Sequence, residues 1–161
     1  MEINVKKEDI VSALNITLGV VEKRQTLPIL ANVLFEADEN SFKLTATDLE
    51  SEVTTSGSLL GMESVGKITT SAKKLNELCR LIPDGEEISL SLKSDKLNVK
   101  TKNGKYSLST LPSSDFPIFD IDSGDNPLVI PAKDLQELIK NTSFAMGNQD
   151  WRHYLNGLFI S

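Results

Sequence analysis

Few side chains in this sequence are spaced for covalent chemistry. The single cysteine, Cys79, and the single histidine, His153, lie far apart in the chain. Cys79 also falls on the apolar stripe of a helical pattern, where a buried thiol is inert. With no second cysteine there is no internal disulfide and no CxxC zinc pair, which agrees with a reducing compartment. Asp48 and Glu50 share one side of the chain if that stretch is extended, as the start of a divalent-metal set would require. No third acid or histidine is spaced to close a coordination shell, so both are expected to be solvated carboxylates. The sequence contains no GxGxxG or GxxxxGK phosphate loop and no GxSxG nucleophile turn. No catalytic residue, metal or cofactor is therefore expected, and a carboxylate-dependent metal hydrolase stands only as a rival reading.

A second kind of chemistry needs charge alone. If Leu75, Leu78, Cys79 and Ile82 point inward at i, i+3, i+4 and i+7, then Lys73, Asn76 and Arg80 share the opposite face of one helix, with Lys74 near its edge. That face is cationic; an ordinary solvated helix surface is the competing explanation. The formal net charge is −6, so a polyanion would have to meet a local positive surface, with the carboxylates elsewhere. An earlier helix offers less, because its exposed positions are Ser12, Asn15 and Gly19 and its basic residues, Lys6, Lys7, Lys23 and Arg24, cluster at the ends.

The elements that must hold these residues follow from periodicity. A short alternating segment, Ile3 and Val5, leads into a helical pattern at Ile10, Val11, Leu14, Leu18 and Val21, with Glu8 and Asp9 in its first turn. Beyond Pro28 come three period-2 runs: Val33 and Phe35; Phe42, Leu44 and Ala46; Val53 and Thr55. The order then recurs. Ile68 lies in a strand, Ser71 stands as an N-cap, the cationic helix follows, and Pro83-Asp84-Gly85 stops it. Three more alternating runs are centred on Ile88 to Leu92, Leu97 to Val99, and Tyr106 to Leu108, with Asn103-Gly104 as a type I′ hairpin signal before the last.

A third copy opens at Leu128-Val129-Ile130, with a helix carrying Leu135, Leu138 and Ile139. An offset of 125 places Val5 to Ile10 on Ile130 to Leu135, and Leu30 to Leu34 on Leu155 to Phe159, without gaps. It also makes Arg24 and Gln149 equivalent. The expected organisation is one complete domain over 1–120, a linker over 121–126, and the incomplete start of a like domain over 127–161, whose strand at 155–161 needs partners the chain lacks. The fold class is α+β, with two helices packed on antiparallel sheets built from a repeated strand, helix, three-strand unit.

The chain's 161 residues, 39% hydrophobic and 25% charged, suit a folded globular protein. No run approaches a membrane span, and Met1-Glu2-Ile3-Asn4 lacks a signal-peptide layout, so a cytoplasmic location with no membrane partner is expected.

Four segments then gain meaning together: Arg24-Gln25-Thr26-Leu27-Pro28-Ile29-Leu30, Thr47-Asp48-Leu49-Glu50, Leu108-Ser109-Thr110-Leu111-Pro112-Ser113-Ser114-Asp115-Phe116-Pro117, and Gln149-Asp150-Trp151-Arg152-His153-Tyr154-Leu155-Asn156-Gly157. In this order and spacing they resemble the bacterial DNA sliding-clamp family, the beta subunits of DNA polymerase III. The resemblance implies a non-catalytic processivity factor. Two chains of three similar domains would form a homodimer ring whose helices line a central hole, holding the replicative polymerase on duplex DNA. A clamp loader and other proteins with clamp-binding peptides are implied as further partners. Near the DNA backbone it implies Arg24, Lys73, Lys74, Arg80 and Gln149. Arg152, Tyr154 and Leu155 match part of a partner-peptide groove, and Lys74, Tyr106 and Leu108 match a contact between subunits. The bland alternatives are a loop arginine in water for Arg24, the inward face of a strand for Tyr154 and Leu155, and a core position for Leu108. A clamp-like interaction module with no DNA role is the remaining rival.

Overall fold

Alternating side chains make strand β1 (Glu2–Lys6), which buries Ile3 and Val5, and the chain passes from Lys6 straight into helix α1 (Lys7–Thr17). The computed structural model describes residues 1–21, 27–119 and 129–160, and the chain divides into two units, Met1–Asp120 and Ile121–Ser161. The first continues with strands β2 (Asn32–Ala37), β3 (Ser41–Thr47), β4 (Glu52–Ser58), β5 (Gly61–Ser64) and β6 (Gly66–Ser71). Helix α2 (Ala72–Arg80) and strands β7 (Glu87–Lys93), β8 (Lys96–Lys100) and β9 (Lys105–Leu111) complete it. The strand, helix, three-strand order occurs twice, with β5 added between the copies.

Every pairing is antiparallel, in the order β4-β3-β2-β6-β9-β8-β7-β1-β5. The leading strand of each copy joins the other copy's meander: β1 pairs with β7, and β6 pairs with β2. Neither copy completes a sheet alone, which binds the two into one cooperative unit. Strands β4 and β5 stand at opposite ends of this order yet are joined by only Leu59 and Leu60, whose N–H groups bond Asn40 O (3.1 Å) and Asn4 O (2.8 Å). Three residue steps span at most about 11 Å, so the strands must curl until their two ends meet.

The core fills that curl. Helix α1 inserts Ile10, Ala13 and Leu14, α2 inserts Leu75, Leu78 and Cys79, and the Phe35 and Phe42 rings stack at 5.2 Å. Burial pushes the Cys79 thiol up to about 12 from its usual 9.0. Because the folded state holds this proton more tightly than the unfolded chain, the stabilisation is fully present below about pH 9 and is lost as pH rises toward 12. Native protein should resist iodoacetamide at neutral pH and react only as it unfolds, and Cys79→Ala should flatten the alkaline decline seen in urea titrations. Rapid labelling of the native thiol would contradict this burial.

Local differences from the periodicity have local causes. Helix α1 stops at Thr17, short of Val21: Leu18 N–H still reaches Leu14 O (2.9 Å), but Gly19 and Val20 N–H reach back only three residues, to Ile16 O (3.3 Å) and Thr17 O (3.1 Å), while the buried Thr17 hydroxyl donates to Ala13 O (3.1 Å) and Leu14 O (3.2 Å). The hairpin signal at Asn103-Gly104 is not a type I′ turn, since neither residue has positive φ. That loop is organised by the Thr101 hydroxyl, which accepts the Gly104 and Asn103 N–H groups (3.1 and 3.3 Å). The two-residue turn with both φ values positive is Ser94-Asp95, at 50° and 55°, between the paired Lys93 and Lys96. Asp48 and Glu50 are not side by side on an extended chain either. Leu49 has φ 75°, and Asp48 Oδ1 accepts the Glu50 and Ser51 N–H groups (2.9 and 2.6 Å), so this carboxylate shapes a turn.

The second unit holds helix α3 (Ala132–Thr142) and 3-10 turns at Ser143–Ala145 and His153–Asn156. Helices α1 and α3 begin and end at the same offset of 125, as do the 3-10 turns Pro28–Ala31 and His153–Asn156. Thr142 repeats the bonding of Thr17, reaching Leu138 O (2.8 Å) and Ile139 O (3.5 Å). The expected strand at 155–161 is not formed among the described residues. Leu155 belongs to the 3-10 turn and Phe159 is 92% exposed. Its counterpart β2 is held by neighbours on both edges, and the described part of the second unit supplies neither. The expected linker over 121–126 lies outside the described residues.

Candidate nucleic-acid interface

Helix α2 starts where the Ser71 hydroxyl accepts the Lys74 N–H (3.4 Å), which fixes Lys73 and Lys74 in its first turn and Arg80 in its last. All three are exposed, while Leu75, Leu78 and Cys79 are buried. Asn76 departs from the helical-wheel expectation. It is only 6% exposed, and its Oδ1 has no hydrogen-bond partner among the described residues. Asn76 lies one turn before Arg80, whose Nη2 donates to Asn15 Oδ1 of α1 at 2.7 Å, so this stripe looks toward the neighbouring helix. Glu77 takes the exposed place instead, 3.9 Å from Lys73.

The positive field is local to α2 among the helices. Lys7 is committed to an ion pair with Asp84, and Glu8 accepts the Gly85 N–H (2.5 Å), latching the start of α1 to the turn after α2. That backbone hydrogen bond holds the Glu8 carboxyl below its usual value, so its contribution is lost as pH falls through the acid range. Cations are not confined to helices, however, because Lys43, Lys67, Lys93, Lys96, Lys100 and Lys105 are exposed on strands, Lys67 pairing with Glu36. Charge count does not single out the helical face; its geometry has to. Arg24 lies outside the described residues.

Gln149 sits at φ 57°, a left-handed conformation that its loop enforces. Gly147 N–H bonds Leu155 O (2.7 Å), and the Asn156 amide both accepts from Asp150 N–H and donates to Asp150 O (each 2.9 Å). Arg152 grips Asp150 through two bonds (3.1 and 3.0 Å) with its guanidinium over the Trp151 ring. That pairing holds the Asp150 carboxyl below its ordinary range and raises the guanidinium further. Tyr154 is exposed and Leu155 half-buried on the next turn. An apolar cavity of this unit, about 260 Å³, is lined instead by α3 and 158–160, including Leu135, Leu138 and Phe159.

Lys74 and Leu108 line one shallow groove of about 190 Å³ together with Ser71 and Leu111. Tyr106 is 44% exposed further along β9. Strand β9 is not a simple edge strand. It pairs with β8 from Lys105 to Ser109 and with β6 only at Thr110 and Leu111, because β6 ends where α2 begins. Among the described residues, one edge over 105–108 therefore keeps its backbone groups unpaired by a strand.

Paired copies that exchange leading strands, with one face of each helix packed against a curled antiparallel sheet, define an α+β module of the DNA-clamp class. The model of the DNA polymerase III beta subunit N-terminal domain matches residues 1–120. A beta sliding clamp from Proteus mirabilis is 39% identical over 99% of the chain, and the chain spans 44% of that relative's length. The crystal structure of DNA polymerase III subunit beta from Pseudomonas aeruginosa superposes at a TM-score of 0.93 with 39% identity, covering 98% of this chain and 43% of that one. A sliding clamp of the same organism bound to griselimycin matches at 0.92, again with 39% identity, over 98% and 42% of the two chains. The chain belongs to the DNA polymerase III beta subunit family, the bacterial sliding clamps. Among the described residues no group of three metal-ligating side chains occurs, and no helix is long and apolar enough to cross a membrane.

Proposed function

We propose that this chain forms the first part of a ring that encloses duplex DNA and tethers a replicative polymerase, acting by topology and without catalysis. The observation that carries this reading is family membership over essentially the whole chain, at 39% identity and a TM-score of 0.93. In this reading α2 presents Lys73, Lys74 and Arg80 to phosphates, with Arg24 and Gln149 contributing from positions equivalent in the sequence repeat. Contacts of this kind are individually weak and exchange readily, which suits a protein that must slide. The free edge at 105–108, with Tyr106, Leu108 and Lys74 beside it, is the surface proposed to meet a second subunit by sheet extension. The turn bearing Arg152, Tyr154 and Leu155 would supply one wall of a groove for partner peptides, including those of a clamp loader. The griselimycin-bound relative is a clamp that accepts a ligand, and supports a binding groove of some kind in this family.

A clamp carrying this chain at its start, loaded on nicked circular duplex, should survive a high-salt wash and be lost when the circle is linearised. Equal retention on both forms would refute enclosure. Arg24→Ala and Gln149→Ala in that clamp should weaken loading onto primed DNA, most visibly as salt is raised.

A further inference from the structure

We propose that Asn15 is a positioning residue for Arg80, holding its guanidinium across the seam between α1 and α2 so that it stands ready for a phosphate. The inference rests on the reading of the exposed α2 face as a phosphate-facing surface. Its basis is a contrast among the cations. Lys7, Lys67, Lys73 and Arg152 each lie beside a carboxylate, of Asp84, Glu36, Glu77 and Asp150 respectively. The partners of Lys7, Lys67 and Arg152 offset the charge they orient, whereas the exposed 3.9 Å pair neither orients Lys73 firmly nor removes it from the surface. Arg80 is instead held by a neutral amide, at 2.7 Å from one terminal nitrogen. An amide uses a single N–H of the five and removes no charge, leaving the rest of the fork, among the described residues, to donate to two phosphate oxygens.

Position makes the arrangement directional. Asn15 is exposed on α1 and reaches a residue 65 positions away in sequence, so the bond exists only once both helices are packed. A long arginine side chain loses conformational freedom when it binds, and one already tethered has less to lose. Asn76, one turn earlier on α2, is buried with a carbonyl that has no partner among the described residues, and the amide that Arg80 meets is that of Asn15.

Binding of the 161-residue chain to a short blunt duplex, measured by fluorescence anisotropy over a salt series, tests the assignment. Arg80→Ala should lower the slope of log K against log salt by about 0.9, the value of one phosphate contact. Asn15→Ala should weaken binding by about two- to tenfold, the ordering cost of one long side chain, with the slope unchanged because the charge remains. Asn15→Asp should lower the slope as Arg80→Ala does, since a carboxylate neutralises the guanidinium. Asn15→Ala added to Arg80→Ala should cost nothing more. Melting temperatures report that the exposed substitutions leave the fold intact. If Arg80→Ala weakens binding while Asn15→Ala leaves it unchanged or tightens it, the positioning role is wrong and the phosphate contact stands. If Arg80→Ala itself has no effect, the α2 reading fails and the inference fails with it.

Discussion

Amide hydrogen exchange on the 161-residue chain should separate α1 from α3 by at least about a thousandfold in protection, although the two helices are eleven residues each and start and stop at equivalent positions. Helix α1 buries Ile10, Ala13, Leu14 and Thr17, whereas α3 buries no residue. An isolated helix shorter than about 12 to 15 residues is marginal in water, because its nucleation cost is repaid only by packing. Amides of α1 open with the whole first unit, for which global stabilities of roughly 5 to 15 kcal/mol are usual. Those of α3 should exchange nearly as fast as in a peptide. Comparable protection in both helices at low protein concentration would mean that the Leu138 and Ile139 face is covered, contrary to this account. The contrast would isolate what tertiary burial adds to a helix whose local signals are the same.

The largest single-site loss of stability is expected at Phe42. Its ring is fully buried, stacks on Phe35, and lies directly over Gly57, its register partner in β4. Phe42→Ala should cost about 3 to 5 kcal/mol in urea titrations, the usual range for emptying an aromatic site in a packed core. Gly57→Ala attacks the same contact from the other side. Gly57 has no positive φ, so its backbone does not require glycine. A Cβ at Gly57 would instead overlap the Phe42 ring, and overpacking of this kind costs about 1 to 3 kcal/mol. Because one clash underlies the second effect, Phe42→Leu combined with Gly57→Ala should be less damaging than the sum of the two changes. Strict additivity would show that the glycine serves some other purpose.

Both predictions bear on how much of this protein can be read along its length. The apolar periods of β3, β7 and β8 are visible because Phe42, Leu44, Ile88, Leu90, Leu97 and Val99 alternate against polar neighbours, and all six are buried. The offset of 125 survives into helix ends and even into the paired hydroxyl bonds of Thr17 and Thr142. Of the proposed DNA-facing set, Lys73, Lys74 and Arg80 emerge on the exposed side of α2 as a helical wheel requires. Asn76 does not, because a wheel treats the helix as having one neighbour, the sheet, and α2 has α1 beside it as well. The bond from Arg80 to Asn15 was illegible for the same reason. Turn type failed where side-chain hydrogen bonding overrode dipeptide preference, as Thr101 does in the loop containing Asn103-Gly104.

Short-range spacing in the sequence determined the helices and the strands of the first unit other than β5, and with them the cationic character of α2 and the recurrence of one building block, because an apolar period depends on neighbours within a few turns. Tertiary structure alone decided that β1 and β6 trade places between copies, that the strand order curls back on itself at Leu59 and Leu60, and that 157–160 meet no strand partner among the described residues. Those outcomes turn on which backbone edges are available for hydrogen bonding in the folded unit, and an edge acquires its partner only when segments far apart in the chain have met.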